Sequence, residues 1–110
     1  MKTTVVRYKL KEGKAGENSE LIRGVFGELN ASKPEGLRYV SFQLEDDRTF
    51  VHIAVVENDD GVNPLPETAA FKKFVADLRD RCDEPPAAMA ADIVGSYRLF
   101  WERESESSQL

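Results

Sequence analysis

The sequence has little of what most motif-based sites require. It contains one cysteine and one histidine in 110 residues, so it can form neither an intrachain disulfide nor a zinc site of clustered cysteines and histidines. No apolar run approaches the roughly 20 residues that span a bilayer, and the N-terminal segment alternates polar and apolar residues, unlike the apolar core of a signal peptide. We therefore expect no bound metal, no membrane partner and a cytoplasmic location.

Positive charge is also scarce. Lys and Arg number 15 against 20 Asp and Glu, which gives a net charge of −5. Nucleic acid binding needs a basic surface that neutralises phosphates, so this balance predicts no nucleic acid partner. Hydrophobic residues make up 41% of the chain, enough for one modest core. We predict a single domain over residues 1–101 and a polar tail over residues 102–110.

Hydrophobic periodicity predicts six elements in the order βαββαβ. Asn18 or Ser19 is the expected N-cap of the first helix, and the EPP sequence at residues 84–86 is expected to end the second. Paired strands separated by helices indicate an α+β, ferredoxin-like fold: a four-stranded antiparallel sheet with two helices on one face and the first and third strands in its centre. The predicted strands cover residues 3–10, 37–45, 49–57 and 92–101, and the predicted helices cover 19–32 and 66–82.

Such a sheet leaves one face without helices, and alternation predicts which side chains each face carries. The more apolar set is assigned to the helix-covered core: Val6, Tyr8 and Leu10, then Val40, Phe42 and Leu44, then Val51, Ile53 and Val55, then Ile93, Tyr97 and Leu99. The opposite set mixes polar and apolar residues, which suits a homodimer interface with buried polar contacts. Residues expected on that dimer face are Arg7, Tyr39, Ser41, Phe50, His52 and Arg98.

Two segments carry a family resemblance. PEGLRYVSFQLEDDRTFVHIAVVEN, at residues 34–58, resembles the hairpin of antibiotic biosynthesis monooxygenase (ABM)-like proteins: a strand with Gly followed by Tyr, a short acidic turn and a strand ending in Glu. AAFKKFVADLRDRCDEPP, at residues 69–86, resembles the second helix of that family. The resemblance implies a dimeric α/β barrel with a ligand pocket between sheet and helices.

The resemblance also implies a function. Some ABM-like proteins are cofactor-independent monooxygenases, so we expect an enzyme of this kind that needs no cofactor and acts on a small flat aromatic or quinol-type molecule. A non-catalytic small-ligand-binding or interaction protein on the same barrel remains an alternative, as does an isomerase-type barrel with an acid–base pair facing the cavity. Haem-degrading relatives use an Asn on strand one and a Trp and a His on the second helix, and this chain has none of these at the corresponding positions.

Three residues are candidates for acid–base or hydrogen-bonding chemistry. His52 is the residue type best suited to proton transfer near neutral pH, but its predicted face points to the partner subunit, which favours a hydrogen-bonded interface role. Tyr8 and Tyr97 are expected on the core face. Either phenol can hydrogen-bond a quinone or phenolate ligand, and either can instead be a core tyrosine bonded to a backbone carbonyl.

Aromatic side chains are candidates for the pocket wall. They can line an apolar cavity for a flat ligand, and phenylalanine at helical spacing is equally typical of plain core. The expected lining residues are Phe26, Phe42, Phe71 and Phe74. Cys82 lies beside acidic residues at a predicted helix end, so we expect no nucleophilic role for it. Trp101 is expected at an edge or a dimer contact.

Overall fold

The computed structural model describes residues 1–99. Its four strands form one antiparallel sheet in the order β2-β3-β1-β4, so the predicted ferredoxin-like α+β fold and the central placement of the first and third strands are confirmed. Among these residues no helix is both long and apolar enough to cross a bilayer. The elements are β1 (Lys2–Leu10), α1 (Ala15–Ser32), β2 (Leu37–Gln43), β3 (Thr49–Val56), a 3₁₀ turn (Leu65–Glu67), α2 (Ala69–Ala76), α3 (Leu78–Arg81) and β4 (Cys82–Ala91).

Helix α1 begins four residues before its predicted start. Asn18 therefore lies inside the helix, and the prediction that it caps the N-terminus is wrong: its side chain is fully buried and donates to the Tyr8 hydroxyl instead. The helix ends where Lys33 adopts a left-handed conformation with φ of 49° and donates its N–H to the Leu29 carbonyl, which is a common way to close the last turn.

The second predicted helix, over residues 66–82, is interrupted. Thr68 caps α2 by accepting a hydrogen bond from the N–H of Phe71 at 3.2 Å, and Asp77 leaves helical geometry with φ of −119°. The short α3 follows, and from its end Arg81 donates to the carbonyl oxygen of Phe74 at 2.9 Å. That carbonyl lies in the last turn of α2, where carbonyl oxygens have no hydrogen-bond partner within the helix. Arg81 therefore joins the two helices from inside the core.

Strand β4 corrects the prediction of a strand over residues 92–101. The chain returns to the sheet directly after α3, and Cys82 pairs with Leu10. Pro85 and Pro86 lie within the strand rather than ending an element. Proline is tolerated here because β4 pairs only with β1, at the edge of the sheet, and the register shifts beside the prolines. Residues 92–99 form no strand, and residues 100–110, including Trp101 and the predicted tail, lie outside the described part of the chain.

The predicted face assignment is right for β1 and wrong for β2 and β3. Tyr8 pairs with Phe50, and Ser41 pairs with His52, and these side chains lie on the helix-covered side, where Tyr8, Phe50 and His52 are buried. The opposite face carries the apolar residues that were assigned to the core. Among them Phe42 is 46% exposed. Burial by the helices was therefore not decided by hydrophobicity alone.

Candidate functional site

A cavity of about 360 Å³ lies between the sheet and the α2–α3 region. Its floor comes from the helix-covered face of β1, β2 and β3, and the exposed side chains of Val75 and Arg79 lie on its outer wall. Most of the remaining wall is apolar. The other lining residues are Thr4, Val6, Tyr8, Tyr39, His52, Ala54, Asn63, Leu65, Phe71, Phe74, Leu78 and Pro86.

His52 is the centre of a polar cluster on the floor of this cavity. Its Nε2 atom lies 2.8 Å from the Tyr8 hydroxyl. Its Nδ1 atom lies 2.7 Å from the Tyr39 hydroxyl and 2.8 Å from the Ser41 hydroxyl. Both ring nitrogens are thus bonded to protein hydroxyls, which come from β1 and β2, the two strands that flank His52 on β3.

Two further residues extend the cluster into the core. Asn18 donates from Nδ2 to the Tyr8 hydroxyl at 2.9 Å, and its Oδ1 accepts from Nε and Nη2 of Arg81 at 3.2 and 3.1 Å. Arg81 is 3% exposed, and among residues 1–99 no carboxylate lies within ion-pair distance of it. Its guanidinium also lies over the Phe74 ring, 5.7 Å from the centroid. A buried cation near an apolar cavity favours negative charge nearby.

Burial sets the protonation states of the cluster. It lowers the pKa of His52 to about 4, so the imidazole is neutral near pH 7. Burial raises the pKa of Tyr39 to about 12, although the hydrogen bond from Ser41 opposes this. The pKa of Tyr8 is also raised by burial, against opposing effects of the Asn18 hydrogen bond and the Arg81 charge. All three groups are uncharged hydrogen-bonding partners at neutral pH.

Aromatic rings surround the cluster. Phe74 lies 5.5 Å from the His52 ring and 6.0 Å from Phe71, measured between centroids, and both phenylalanines line the cavity. Phe26 stacks on the back of Tyr39 at 5.2 Å and lines a separate cavity of about 260 Å³. Phe42 lies on the opposite face, so the prediction that it lines this pocket is wrong.

The other predicted site residues are divided between these regions. Tyr8 and His52 meet in the cluster, whereas Tyr97 is 82% exposed and lies outside any strand, so its predicted place in the core is wrong. Tyr39, Ser41, Phe50 and His52 lie on the helix side, which overturns their placement on a dimer face. Arg7 lies on the other side and is exposed, paired with Glu84 at 3.2 Å; Arg98 is exposed and lies beyond β4, over the ring of Tyr97.

Asn18 and Arg81 were not predicted as site residues. They are 63 positions apart, and they meet only when α1 and α3 pack on the same sheet. No local pattern in the sequence predicts this contact.

Cys82, next to Arg81, is buried, and burial raises the pKa of its thiol, in keeping with the expected lack of reactivity. Within residues 1–99 no three His, Cys, Asp or Glu side chains converge as a metal site.

The architecture is ferredoxin-like, the fold that the sequence resemblance to ABM-like proteins implied. No family model matches this sequence, and no curated protein matches it at a significant level. The likeness to known proteins is therefore one of fold, seen in the comparison with solved structures.

Three of these structures illustrate the likeness. A protein from Nitrosomonas europaea, provisionally named an antibiotic biosynthesis monooxygenase, superimposes with a TM-score of 0.72 at 20% identity, over 86% of this chain and 100% of that one. A provisionally named monooxygenase from Caulobacter crescentus gives 0.69 at 18% identity, over 86% and 90%. A variant of SnoaB, a cofactor-independent oxygenase from Streptomyces nogalater, gives 0.64 at 18% identity, over 86% and 94%. At these identities the likeness establishes the fold.

Proposed function

We propose that the protein is a cofactor-independent monooxygenase acting on a small, flat hydroxyaromatic or quinol-type molecule. One observation carries the proposal: an uncharged row of hydrogen-bonding groups, the buried Tyr8 and His52 and the half-buried Tyr39, lies on the floor of a mostly apolar cavity. An apolar wall suits a flat ring, and a polar group at one end suits its oxygen. The name of SnoaB supplies the reaction class for the same fold.

The proposed chemistry needs little from the protein. A hydroxyaromatic ring that loses its hydroxyl proton to solvent water carries negative charge on a ring carbon. That carbon forms a C–O bond to O₂, and proton uptake gives a hydroperoxide. Loss of water from the hydroperoxide leaves a carbonyl, so one oxygen atom stays in the product, the other leaves as water, and the substrate supplies all four electrons. The site has to bind the ring and stabilise its oxyanion.

Tyr39 and His52 are the groups placed to do this. Tyr39 lines the cavity, and its hydroxyl lies 2.7 Å from Nδ1 of His52, so a ligand oxygen against Tyr39 is coupled to the imidazole through one hydrogen bond. Phe71 and Phe74 can hold the ring in place by stacking or edge contacts. Hydrogen bonds from groups in apolar surroundings stabilise an anion more strongly than hydrogen bonds in water do.

We also propose that two copies of the chain associate through the helix-free face of the sheet. Val40, Phe42 and Leu44 on that face are 39–46% exposed, and a row of large apolar side chains is typical of an interaction surface. This replaces the mixed face that the sequence suggested, because Tyr39, Ser41 and His52 are now engaged beneath the helices. A second copy is the occupant that the ABM-like fold favours.

Oxygen consumption tests the function. The protein is mixed with a panel of 1-naphthols and quinols, and uptake is compared with spontaneous oxidation in buffer. We expect uptake with at least one panel member, and a loss of about 100-fold or more in His52→Ala, the order of a missing acid–base or hydrogen-bonding group. Tyr97→Phe, a change at an exposed tyrosine outside the cavity, is the matched control and should retain full activity.

Two results would overturn the proposal in different ways. Panel compounds that bind in the cavity without any oxygen uptake would identify a non-catalytic ligand-binding protein, which was the alternative left open by the sequence. Uptake that survives His52→Ala undiminished in a folded variant would place the chemistry elsewhere.

A further inference from the structure

Hydrogen bonds link Arg81 to Asn18 and Asn18 to Tyr8. The chemistry of these groups fixes which of them donates at each step. A guanidinium has only donors, and two of them point at Oδ1 of Asn18. The amide oxygen must therefore face Arg81. If the amide were flipped, its N–H groups would lie against the guanidinium donors, and the 3%-exposed cation would lose two hydrogen bonds.

The direction of the hydrogen bond between Asn18 and Tyr8 is fixed in the same way. With its oxygen held by Arg81, Asn18 presents its NH₂ group to the Tyr8 hydroxyl at 2.9 Å, and Tyr8 must accept. The hydroxyl keeps one proton of its own. Its remaining hydrogen-bond partner among residues 1–99 is Nε2 of His52, at 2.8 Å. If Nε2 carried a proton and donated to Tyr8, the Tyr8 proton would have no partner in a residue with 0% exposure. An unsatisfied buried donor is unfavourable.

We propose that Arg81 is a positioning residue that acts through Asn18: it directs the Tyr8 proton to Nε2 of His52, holds His52 as the Nδ1–H tautomer, and so leaves Tyr39 as a hydrogen-bond donor to the cavity. The last step follows because the single Nδ1–H proton is then shared between the hydroxyls of Tyr39 and Ser41, so neither hydroxyl can donate to Nδ1. Tyr39, which accepts from within the protein, has its own proton free for a ligand in the cavity that it lines.

The direction of these hydrogen bonds decides which ligand group the cavity binds best. A Tyr39 that donates stabilises a ligand carbonyl or oxyanion, whereas the opposite tautomer of His52 would make Tyr39 donate inward and accept from a ligand hydroxyl. The positive charge of Arg81 lies at the far end of a chain in which every donor points toward the cavity, which reinforces the preference for negative charge on the ligand. This consequence rests on the proposed function, but the tautomer itself does not.

The tautomer can be measured without any ligand. His52 is the only histidine in the chain, so untagged protein labelled with ¹⁵N-histidine gives one side-chain spin system, in which protonated and unprotonated ring nitrogens resonate far apart. We expect the wild type at pH 7 to show Nδ1–H. Arg81→Met frees the Asn18 amide to flip, and the ratio of Nδ1–H to Nε2–H should fall by at least about tenfold, the order of one unsatisfied buried donor. Arg23→Met, at an exposed arginine on α1, the helix that carries Asn18, should leave the ratio unchanged.

A second variant keeps the test decisive if Arg81→Met does not fold. Asn18→Asp is nearly isosteric and can pair with Arg81, but its side chain has only acceptors when ionised. Tyr8 must then donate to residue 18 and accept from His52, so the ring should convert to Nε2–H. A wild type that shows Nε2–H, or an Asn18→Asp protein that keeps Nδ1–H, would overturn the proposal.

The consequence for the ligand is measured by binding alone. 4-Nitrophenol absorbs differently as the neutral phenol and as the phenolate, so its ionised fraction in the bound state can be read directly. Wild type should bind the phenolate preferentially, and Asn18→Asp should reduce that preference by about tenfold or more, for the same reason. Equal preference in the two proteins would refute the donor role of Tyr39. Failure of oxygen uptake would overturn the proposed function and leave the tautomer result standing.

Discussion

The two faces of the sheet differ in a way that hydrophobicity does not anticipate. The helix-covered face carries Tyr39, Ser41 and His52 in its centre, and the open face carries Val40, Phe42 and Leu44, each more than a third exposed. The polar residues can be buried because they bond to each other and to Tyr8, and a buried polar group that is satisfied is tolerated. The apolar residues are left outside in a single chain, which is what an association surface looks like.

The comparison is sharpest for two phenylalanines. Phe74 is 3% exposed and contacts His52, whereas Phe42 is 46% exposed. Phe74→Ala should lower the free energy of unfolding by about 3–5 kcal/mol, the range for a buried aromatic that leaves a cavity. Phe42→Ala should lower it by less than about 1 kcal/mol in the monomeric protein, since little packing is lost. Denaturant unfolding at low protein concentration checks both, and equal losses would contradict the assignment of the faces.

The histidine gives the helix-covered face a pH dependence. Above its ordinary pKa of 6.5, His52 is neutral whether the chain is folded or unfolded; between pH 6.5 and 4 it gains a proton only when unfolded, because burial lowers its folded pKa to about 4. Stability should therefore fall by about 3 kcal/mol as the pH drops through this window.

Denaturant titrations at several pH values check this. His52→Gln removes the titrating group and serves as the control: the difference between wild type and variant should depend on pH between 4 and 6.5 and be constant above. A separate decline below that range is expected from Asp46, whose pKa is lowered to about 2 by hydrogen bonds from Thr49 and Arg48. A wild type whose stability matches the pH profile of the variant would show that His52 is not buried in the neutral form.

On the open face, a charged substitution should weaken the association of two copies of the chain. Phe42→Glu places a carboxylate in the proposed dimer contact and should weaken association by about 30-fold or more, the order of a hot-spot residue, with the monomer still folded. Analytical ultracentrifugation over a concentration series measures it. Lys72→Gln, at an exposed position of α2, makes the same change of one unit in net charge and is the control; a wild type that is monomeric at every concentration would refute the dimer.

The smallest effect on stability is expected for an ion pair whose two side chains are both exposed to solvent. Arg7 and Glu84 join β1 to β4 on the open side at 3.2 Å, with both side chains 55% exposed. Arg7→Ala should change the free energy of unfolding by less than about 1 kcal/mol, as for most surface ion pairs. Thermal unfolding at low and high salt checks this, and a loss as large as that of Phe74→Ala would mean that the open side contributes more to the fold than its exposure indicates.

Local patterns predicted most of the architecture. Strands β1, β2 and β3 and the existence of both helical regions follow from periodicities that a short stretch of chain contains. Strand β4 could not be found that way, because CDEPPAAMAA combines two prolines with alanines, and only its edge position makes this acceptable. The apolar alternation of residues 92–99 was mistaken for it.

The candidate site was predictable in part. Tyr8 and His52 were identified by residue type, and Phe71 and Phe74 by helical spacing. The faces of β2 and β3 were reversed because an isolated strand shows which side is more apolar, not whether its polar side chains will find partners. Those partners come from Asn18, Tyr8 and Arg81, on elements far apart in the chain, so only the assembled fold brings the cluster together.

One structure would test the difference between the faces most directly. 1,4-Naphthoquinone is stable in air and is the product expected from a 1-naphthol, so crystals of the protein can be soaked with it. We predict that its ring lies in the cavity against Phe71 and Phe74, with a carbonyl oxygen about 3 Å from the Tyr39 hydroxyl. A ring bound on the open face against Phe42, with the cavity beside His52 unoccupied, would contradict the account.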